Sequence, residues 1–134
     1  MGKASKLLFI VGCLNAALAV ALSAAGAHAL RAQLASPRAT ELFATAIQYH
    51  QFHALGLIAV ALTLTIFPAS RCLRWAGLLM SFGILLFCGG LYLQSLTTIH
   101  FIPGGIPAGG FAFILAWVLL PIGVARSPCR CNTN

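Results

Sequence analysis

Four long apolar segments, separated by short connectors, constrain this chain of 134 residues more than any other feature. They cover residues 7–25, 42–67, 73–96 and 106–125. A helix of about 20 residues at ~1.5 Å per residue crosses a hydrocarbon core of ~30 Å, so each segment is long enough to span a bilayer. The pattern predicts an all-α integral membrane protein, a four transmembrane helix bundle forming a single membrane domain over 1–134, with a polar tail at 126–134.

The apolar residues run continuously through these segments and do not alternate with polar ones. A membrane β-barrel needs that alternation to keep its interior polar, so helices are favoured. The composition agrees, because 60% of the residues are hydrophobic and only 7% are charged, against roughly 25% charged in soluble domains. The net charge of +7 comes from scattered basic residues and not from one basic face, which argues against nucleic acid as a partner.

The basic residues predict the orientation of the bundle, because Lys and Arg near helix ends favour the cytoplasmic side. One side of the membrane receives only Arg31 and Arg38, both in the first connector. The other side receives Lys3, Lys6, Arg71, Arg74, Arg126 and Arg130. We therefore expect a bacterial inner-membrane protein with both termini in the cytoplasm (N-in/C-in), and an even number of crossings also requires both termini on one side.

The first segment also has features of a cleavable signal. Lys3 and Lys6 precede it, and the small-residue pattern Ala27-His28-Ala29 follows it, as at a signal-peptidase site. Cys13 ends a lipobox-like stretch. Cleavage would leave three crossings and an N-terminus on the outer side, so the sequence favours retention of this segment as the first helix.

Small side chains recur along one face of the first helix at spacings of three and four residues. In lipid, such a stripe lets a second helix approach closely, and that helix belongs either to the same bundle or to a second copy of the chain. Asn15, near the middle of this helix, must find a hydrogen-bond partner on a neighbouring helix, because an unpaired amide in hydrocarbon is costly. The predicted helix-packing residues are Gly12, Ala16, Ala19, Ser23 and Gly26, with Gly77 and Ser81 on the third helix.

The second segment begins with a dense run of polar residues between Glu41 and His53. At 100° per residue, Gln48, Tyr49 and His53 continue round the side of the helix that carries Glu41, whereas His50 lies nearly opposite Glu41. Ionisable groups at membrane depth are functional candidates by default. The residues predicted to converge as a ligand or proton site are His28, Glu41, Gln48, Tyr49 and His53, with Glu41 and an Arg of the first connector as its lid.

All four histidines are expected in the outer half of the bundle, and three interpretations stay open. They satisfy bundle and interface hydrogen bonds, they bind a ligand or pass protons, or they hold a metal or haem. His50 and His53 have no carboxylate partner at metal-ligand spacing. We therefore predict no metal and no other cofactor.

Five cysteines are present, and the sequence predicts a different environment for two groups of them. Cys13 and Cys88 lie within spans, where cysteine behaves as a small apolar residue. Cys72, Cys129 and Cys131 fall on the predicted cytoplasmic side, where structural disulfides are rare. The Cys129-Arg130-Cys131 motif alone is a weak metal signal, and its polar surroundings predict a disordered tail.

Four blocks of the sequence resemble the small membrane proteins of domain-of-unknown-function family 423, which are related to transmembrane protein 256. The blocks are GAHAL (26–30), AIQYHQFHAL (46–55), LLFCGGLY (85–92) and PAGG (107–110), the last followed by Trp117. Departures are Cys88-Gly89-Gly90 in place of a Ser-Gly-Ser-like run and Ile106 in place of a Thr. The resemblance implies an integral membrane protein of about four helices and supplies no established activity.

The leading functional hypothesis is a non-enzymatic accessory or structural component of a larger membrane assembly. Its partners would be the lipid bilayer and either another protein or a second copy, because most of its surface is apolar helix. The second hypothesis is a transporter or channel for a small solute or protons, acting as an oligomer. Its path would be lined by Asn15, Gln48, His53 and Gln94. The third is a haem- or metal-handling redox subunit that uses the outer-side histidines.

Overall fold

The computed structural model describes residues 1–34, 36–97 and 103–127. Its secondary structure over these ranges is helical, without strands. Four helices are long and apolar enough to span a membrane: α1 (Lys3–Ala27), α2 (Pro37–Ile66), α3 (Arg71–Leu96) and α4 (Gly105–Ala125). The predicted all-α fold with four spans is confirmed.

The helix α2 begins before its apolar segment because the preceding residues form a good helix start. The hydroxyl of Ser36 accepts a hydrogen bond from the backbone amide of Ala39 at 3.1 Å. Pro37 occupies the first turn, where its missing N–H would have had no partner within the helix. The polar residues of the first connector therefore extend α2 well beyond the bilayer-spanning minimum.

Ser70 performs a similar capping role at the start of α3 and also joins α3 to α4. Its hydroxyl oxygen lies 3.5 Å from the amide of Leu73 and donates to the carbonyl of Gly123 at 3.2 Å. At the opposite end of the bundle, α4 follows Gly104, whose φ of 82° favours glycine. The bond from Ser70 to Gly123 thus ties the end of α4 to the start of α3.

Consecutive helices run antiparallel, and α2 packs against both α1 and α3. Gly12 near the start of α1 lies against Ile58 of α2, whereas Gly26 at the other end lies against Phe43. In turn, α4 packs along α3 and makes few direct contacts with α2. A groove therefore remains between α2 and α4.

The core lies where α2, α3 and α4 meet; α1 contributes the buried Leu8, and Phe9 and Val11 pack against the cluster. The largest fully buried side chains are Leu57, Val60, Leu73, Met80 and Cys88. Both Cys13 and Cys88 lie within spanning helices, as predicted; Cys88 is buried in the core, and Cys13 is exposed on the surface of α1.

Some of the sequence-based predictions concern residues outside the described ranges. These are His100, Cys129, Cys131 and the predicted tail beyond Ser127.

Candidate functional site

A chain of hydrogen bonds joins three helices inside the bundle. The ring of His50, on α2, has an exposed fraction of only 2%. Its Nε2 lies 3.0 Å from Oδ1 of Asn15 on α1, and its Nδ1 lies 3.2 Å from the hydroxyl of Tyr92 on α3. The predicted need of Asn15 for a partner on a neighbouring helix is confirmed, and that partner is His50.

The partners of Asn15 determine the direction of these bonds. Its Nδ2 donates to the carbonyl of Val11 at 2.8 Å, which leaves Oδ1 as an acceptor facing His50. Nε2 of His50 must therefore donate, and in a neutral imidazole Nδ1 then accepts from the Tyr92 hydroxyl. Each polar group of the Asn15–His50–Tyr92 chain has a partner, as buried polar groups in a bilayer require.

A π-helical turn, Ile84–Cys88, interrupts α3 one turn before Tyr92. Such a turn inserts one extra residue and so changes the face that the following side chains present. It lies close against α4, because a Cβ on Gly109 would lie 2.6 Å from the backbone nitrogen of Phe87. Because Tyr92 follows this turn, the extra residue changes the face of α3 from which Tyr92 contacts His50.

The groove between α2 and α4, called the α2–α4 groove below, has a volume of about 940 Å³. Side chains from α2, α3 and α4 line it, and most of them are apolar or aromatic. The aromatic and histidine side chains in its wall are Tyr49, Phe52, His53, Phe87, Phe113 and Trp117. Its size falls within the range of about 300–1,000 Å³ that is typical of small-molecule sites.

His53 is the most buried polar residue of the groove, with an exposed fraction of 3%. Its ring stacks on Phe113 with the centroids 3.4 Å apart and the planes within 14°. Its Nδ1 donates to the carbonyl of Tyr49 at 2.8 Å, one helical turn back. A neutral imidazole that donates from Nδ1 carries a lone pair on Nε2, so His53 presents an acceptor.

The structure brings together three of the five residues predicted to form the polar site. Gln48, Tyr49 and His53 line the α2–α4 groove, and the rings of Tyr49 and His53 stack at 5.9 Å. His28 is exposed at the end of α1, and no described hydrogen bond or ring contact joins it to these three. Glu41 pairs with Arg38 at 3.4 Å on the surface, with side-chain exposures of 70% and 73%.

The residues predicted to pack between helices lie in several settings. Ala19 is fully buried, and Gly12 and Gly26 lie against α2. Ala16 is half-buried, whereas Ser23 is exposed and lines a cavity of about 370 Å³ that separates α1 from α2 there.

On α3, Gly77 and Ser81 lie one helical turn apart. Gly77 lies against Leu8 of α1, so the two helices touch at this point. The Ser81 hydroxyl donates to the Gly77 carbonyl at 3.0 Å and so stays within its own helix.

The sequence analysis missed the role of His50 and Tyr92. The helical-wheel argument separated His50 from the other polar residues, and the structure shows why it is separate: it faces α1 and α3 instead of α4. The available signal was Asn15, whose amide required a deep polar partner. In the described ranges, no three His, Cys, Asp or Glu side chains come close enough to hold a metal ion.

Four apolar spanning helices, three of them joined by an internal polar chain, define an all-helical integral membrane protein. Comparison with known proteins identifies the family within this class. The chain belongs to the family described as "Protein of unknown function (DUF423)", which matches residues 22–110.

Two bacterial membrane proteins are similar to the chain over most of its length. The chain is 38% identical over 121 residues to the UPF0382 membrane protein YwdK of Bacillus subtilis, covering 90% of this chain and 98% of that protein. It is 39% identical over 121 residues to the UPF0382 membrane protein SSP2132 of Staphylococcus saprophyticus, with the same coverage. No solved structure matches the chain.

Proposed function

We propose that this protein is a non-enzymatic accessory or structural component of a larger membrane assembly. The observation that carries the proposal is the Asn15–His50–Tyr92 chain, in which three polar side chains inside the bundle bind one another across three helices. Polar side chains that hydrogen-bond to one another across helices stabilise a fixed bundle. A transport path would need them facing a shared wet cavity, yet Asn15 is bonded to His50 while Gln48 and His53 face the α2–α4 groove.

The outward face of α1 is the surface proposed to meet a partner helix. Only 17% of the apolar window of α1 is buried, against 44% for α2, so α1 is the peripheral helix of the bundle. Its exposed face carries small residues at spacings of four, four and three: Cys13, Ala17, Ala21 and Ala24. A face of this kind admits another helix at close range.

Two leucine substitutions on α1 separate partner binding from folding. Ala17→Leu, on the exposed face, should leave the bundle stable but remove a partner that co-purifies in mild detergent. Ala19→Leu, on the fully buried face, should instead lower the free energy of unfolding by about 1–3 kcal/mol through overpacking.

The result of the purification also distinguishes the alternatives. A second polypeptide at fixed stoichiometry, lost in Ala17→Leu, supports the proposal. A symmetric homo-oligomer with a water-filled pore, or a haem absorption band, would contradict it in favour of transport or redox function.

We also propose that the protein lies in the bacterial plasma membrane with both termini in the cytoplasm. The support is the charge distribution, with Arg31 and Arg38 as the only basic residues expected outside. In intact cells, Cys129 and Cys131 should resist a membrane-impermeant maleimide, whereas a cysteine introduced at the exposed Gln33 should react. Ready labelling of the two native cysteines would show that the termini lie on the outer side.

A further inference from the structure

We propose that the α2–α4 groove binds a single-chain lipid alcohol, whose hydroxyl donates a hydrogen bond to Nε2 of His53. The apolar chain of this lipid lies along α4. The site uses α2, α3 and α4 but not α1, and so it is independent of the α1 surface proposed to meet a partner helix.

His53 has a hydrogen-bond acceptor that no described residue uses. The Nδ1 bond to the Tyr49 carbonyl is the one hydrogen bond that His53 makes with the described chain. Every fully buried side-chain nitrogen or oxygen of the described residues has a partner. Nε2 therefore keeps some accessible surface, and because His53 lines the groove, that surface opens there. A ring 97% buried thus offers an unpaired acceptor to the groove.

The lining of the groove favours a ligand with a neutral head group. None of the residues that line the groove is charged; besides His53, its polar residues are Gln48 and Tyr49, which lie at the same end as Gly110. Gly110 is about 8 Å along α4 from its first residue at ~1.5 Å per residue. A phosphate or carboxylate at that depth would find no cation, which is costly in hydrocarbon. A hydroxyl is neutral and supplies the donor that Nε2 lacks.

The rest of the groove is lined by apolar side chains that can contact the lipid chain. Beyond Phe113 the groove wall continues through Trp117, Val118 and Ile122, about 14 Å of helix. An apolar chain moving from lipid into this groove gains packing but little hydrophobic free energy, because lipid is equally apolar. The hydrogen bond to His53 therefore decides which lipid is bound.

The test uses fluorescence of Trp117, which lines the groove. Trp75→Phe removes the other tryptophan, which is exposed on α3. The full chain is placed in phosphatidylcholine vesicles, whose head groups have no hydroxyl donor, and titrated with hexadecanol brominated in its chain. The methyl ether of the same alcohol has the same chain but cannot donate. A prenyl alcohol of matched length is titrated in parallel to identify the preferred chain.

The alcohol should quench Trp117 saturably, with an apparent affinity about tenfold higher than the ether, which corresponds to about 1.4 kcal/mol. His53→Phe keeps a ring against Phe113 but removes the acceptor, so the preference should disappear. Equal quenching by alcohol and ether in the parent protein, or an undiminished preference in His53→Phe, would overturn the proposal.

If His53→Phe fails to fold, a second pair of variants tests whether the alcohol binds in the α2–α4 groove. Val118→Phe fills the groove, whereas Leu115→Phe adds the same ring type on an exposed position of α4 outside it. Saturable quenching should be lost in the first and kept in the second, and equal quenching in both would contradict a groove site. If a photo-crosslinker at position 118 joins another polypeptide and both reagents fail to quench, a partner helix fills the groove and the lipid proposal is wrong.

Discussion

Replacing His50 by leucine should lower the free energy of unfolding by about 2 kcal/mol. The substitution leaves Oδ1 of Asn15 and the hydroxyl of Tyr92 without their partner. An unpaired buried polar group costs about 1–3 kcal/mol, although single interhelical hydrogen bonds in membrane proteins average nearer ~0.6 kcal/mol. Reversible unfolding of the purified protein in mixed micelles measures the change.

A double-mutant cycle isolates the cross-helix bond in this prediction. Asn15→Leu and His50→Leu together should cost less than the sum of the two single changes, because either one alone leaves an orphaned partner. Thr63→Val is the matched control on α2, since the Thr63 hydroxyl bonds only to the Ala59 carbonyl of its own helix. Additive single effects, or an equal loss in Thr63→Val, would show that the chain does not tie the helices.

Replacing Gly109 by alanine adds only one methyl group. It should lower the free energy of unfolding by about 3 kcal/mol, which is more than the effect expected for His50→Leu. Its Cβ would lie 2.6 Å from the backbone nitrogen and 3.0 Å from the Cα of Phe87. A backbone atom cannot rotate aside as a flexible side chain can, so α4 must move away from α3. Overpacking of this kind typically costs about 1–3 kcal/mol or more. Thermal unfolding and the yield of folded protein report the loss.

The neighbouring glycines supply the controls for this experiment. A Cβ on Gly110 would lie 3.7 Å from the ring of Phe87, which is ordinary contact, and a Cβ on Gly89 would meet nothing within 4 Å. Gly110→Ala should therefore be nearly neutral, and Gly89→Ala should be neutral or stabilising by up to about 1 kcal/mol through helix propensity. If all three alanine variants are equally stable, the close approach at Gly109 does not limit packing.

The predicted polar site shows which neighbours the helical repeat can predict and which it cannot. Gln48, Tyr49 and His53 lie within two turns of one helix, so the helical repeat places them on neighbouring faces whatever surrounds them. All three line the α2–α4 groove. His28 was linked to them through a connector of irregular backbone, whose path no periodicity determines, and the structure leaves it exposed.

The four spans followed from the sequence alone, because the length and apolarity of a segment decide whether it crosses a bilayer and every backbone group in lipid must be bonded within a helix. The need of Asn15 for a buried partner followed for the same reason. Only the tertiary structure decided that His50 meets that need, that Tyr92 completes the chain, and that His53 faces a groove instead. Those outcomes depend on how α2 is rotated between its neighbours and on the extra residue of the π turn in α3. Rotation of a helix is set by packing among helices distant in sequence, and no single helix carries that information.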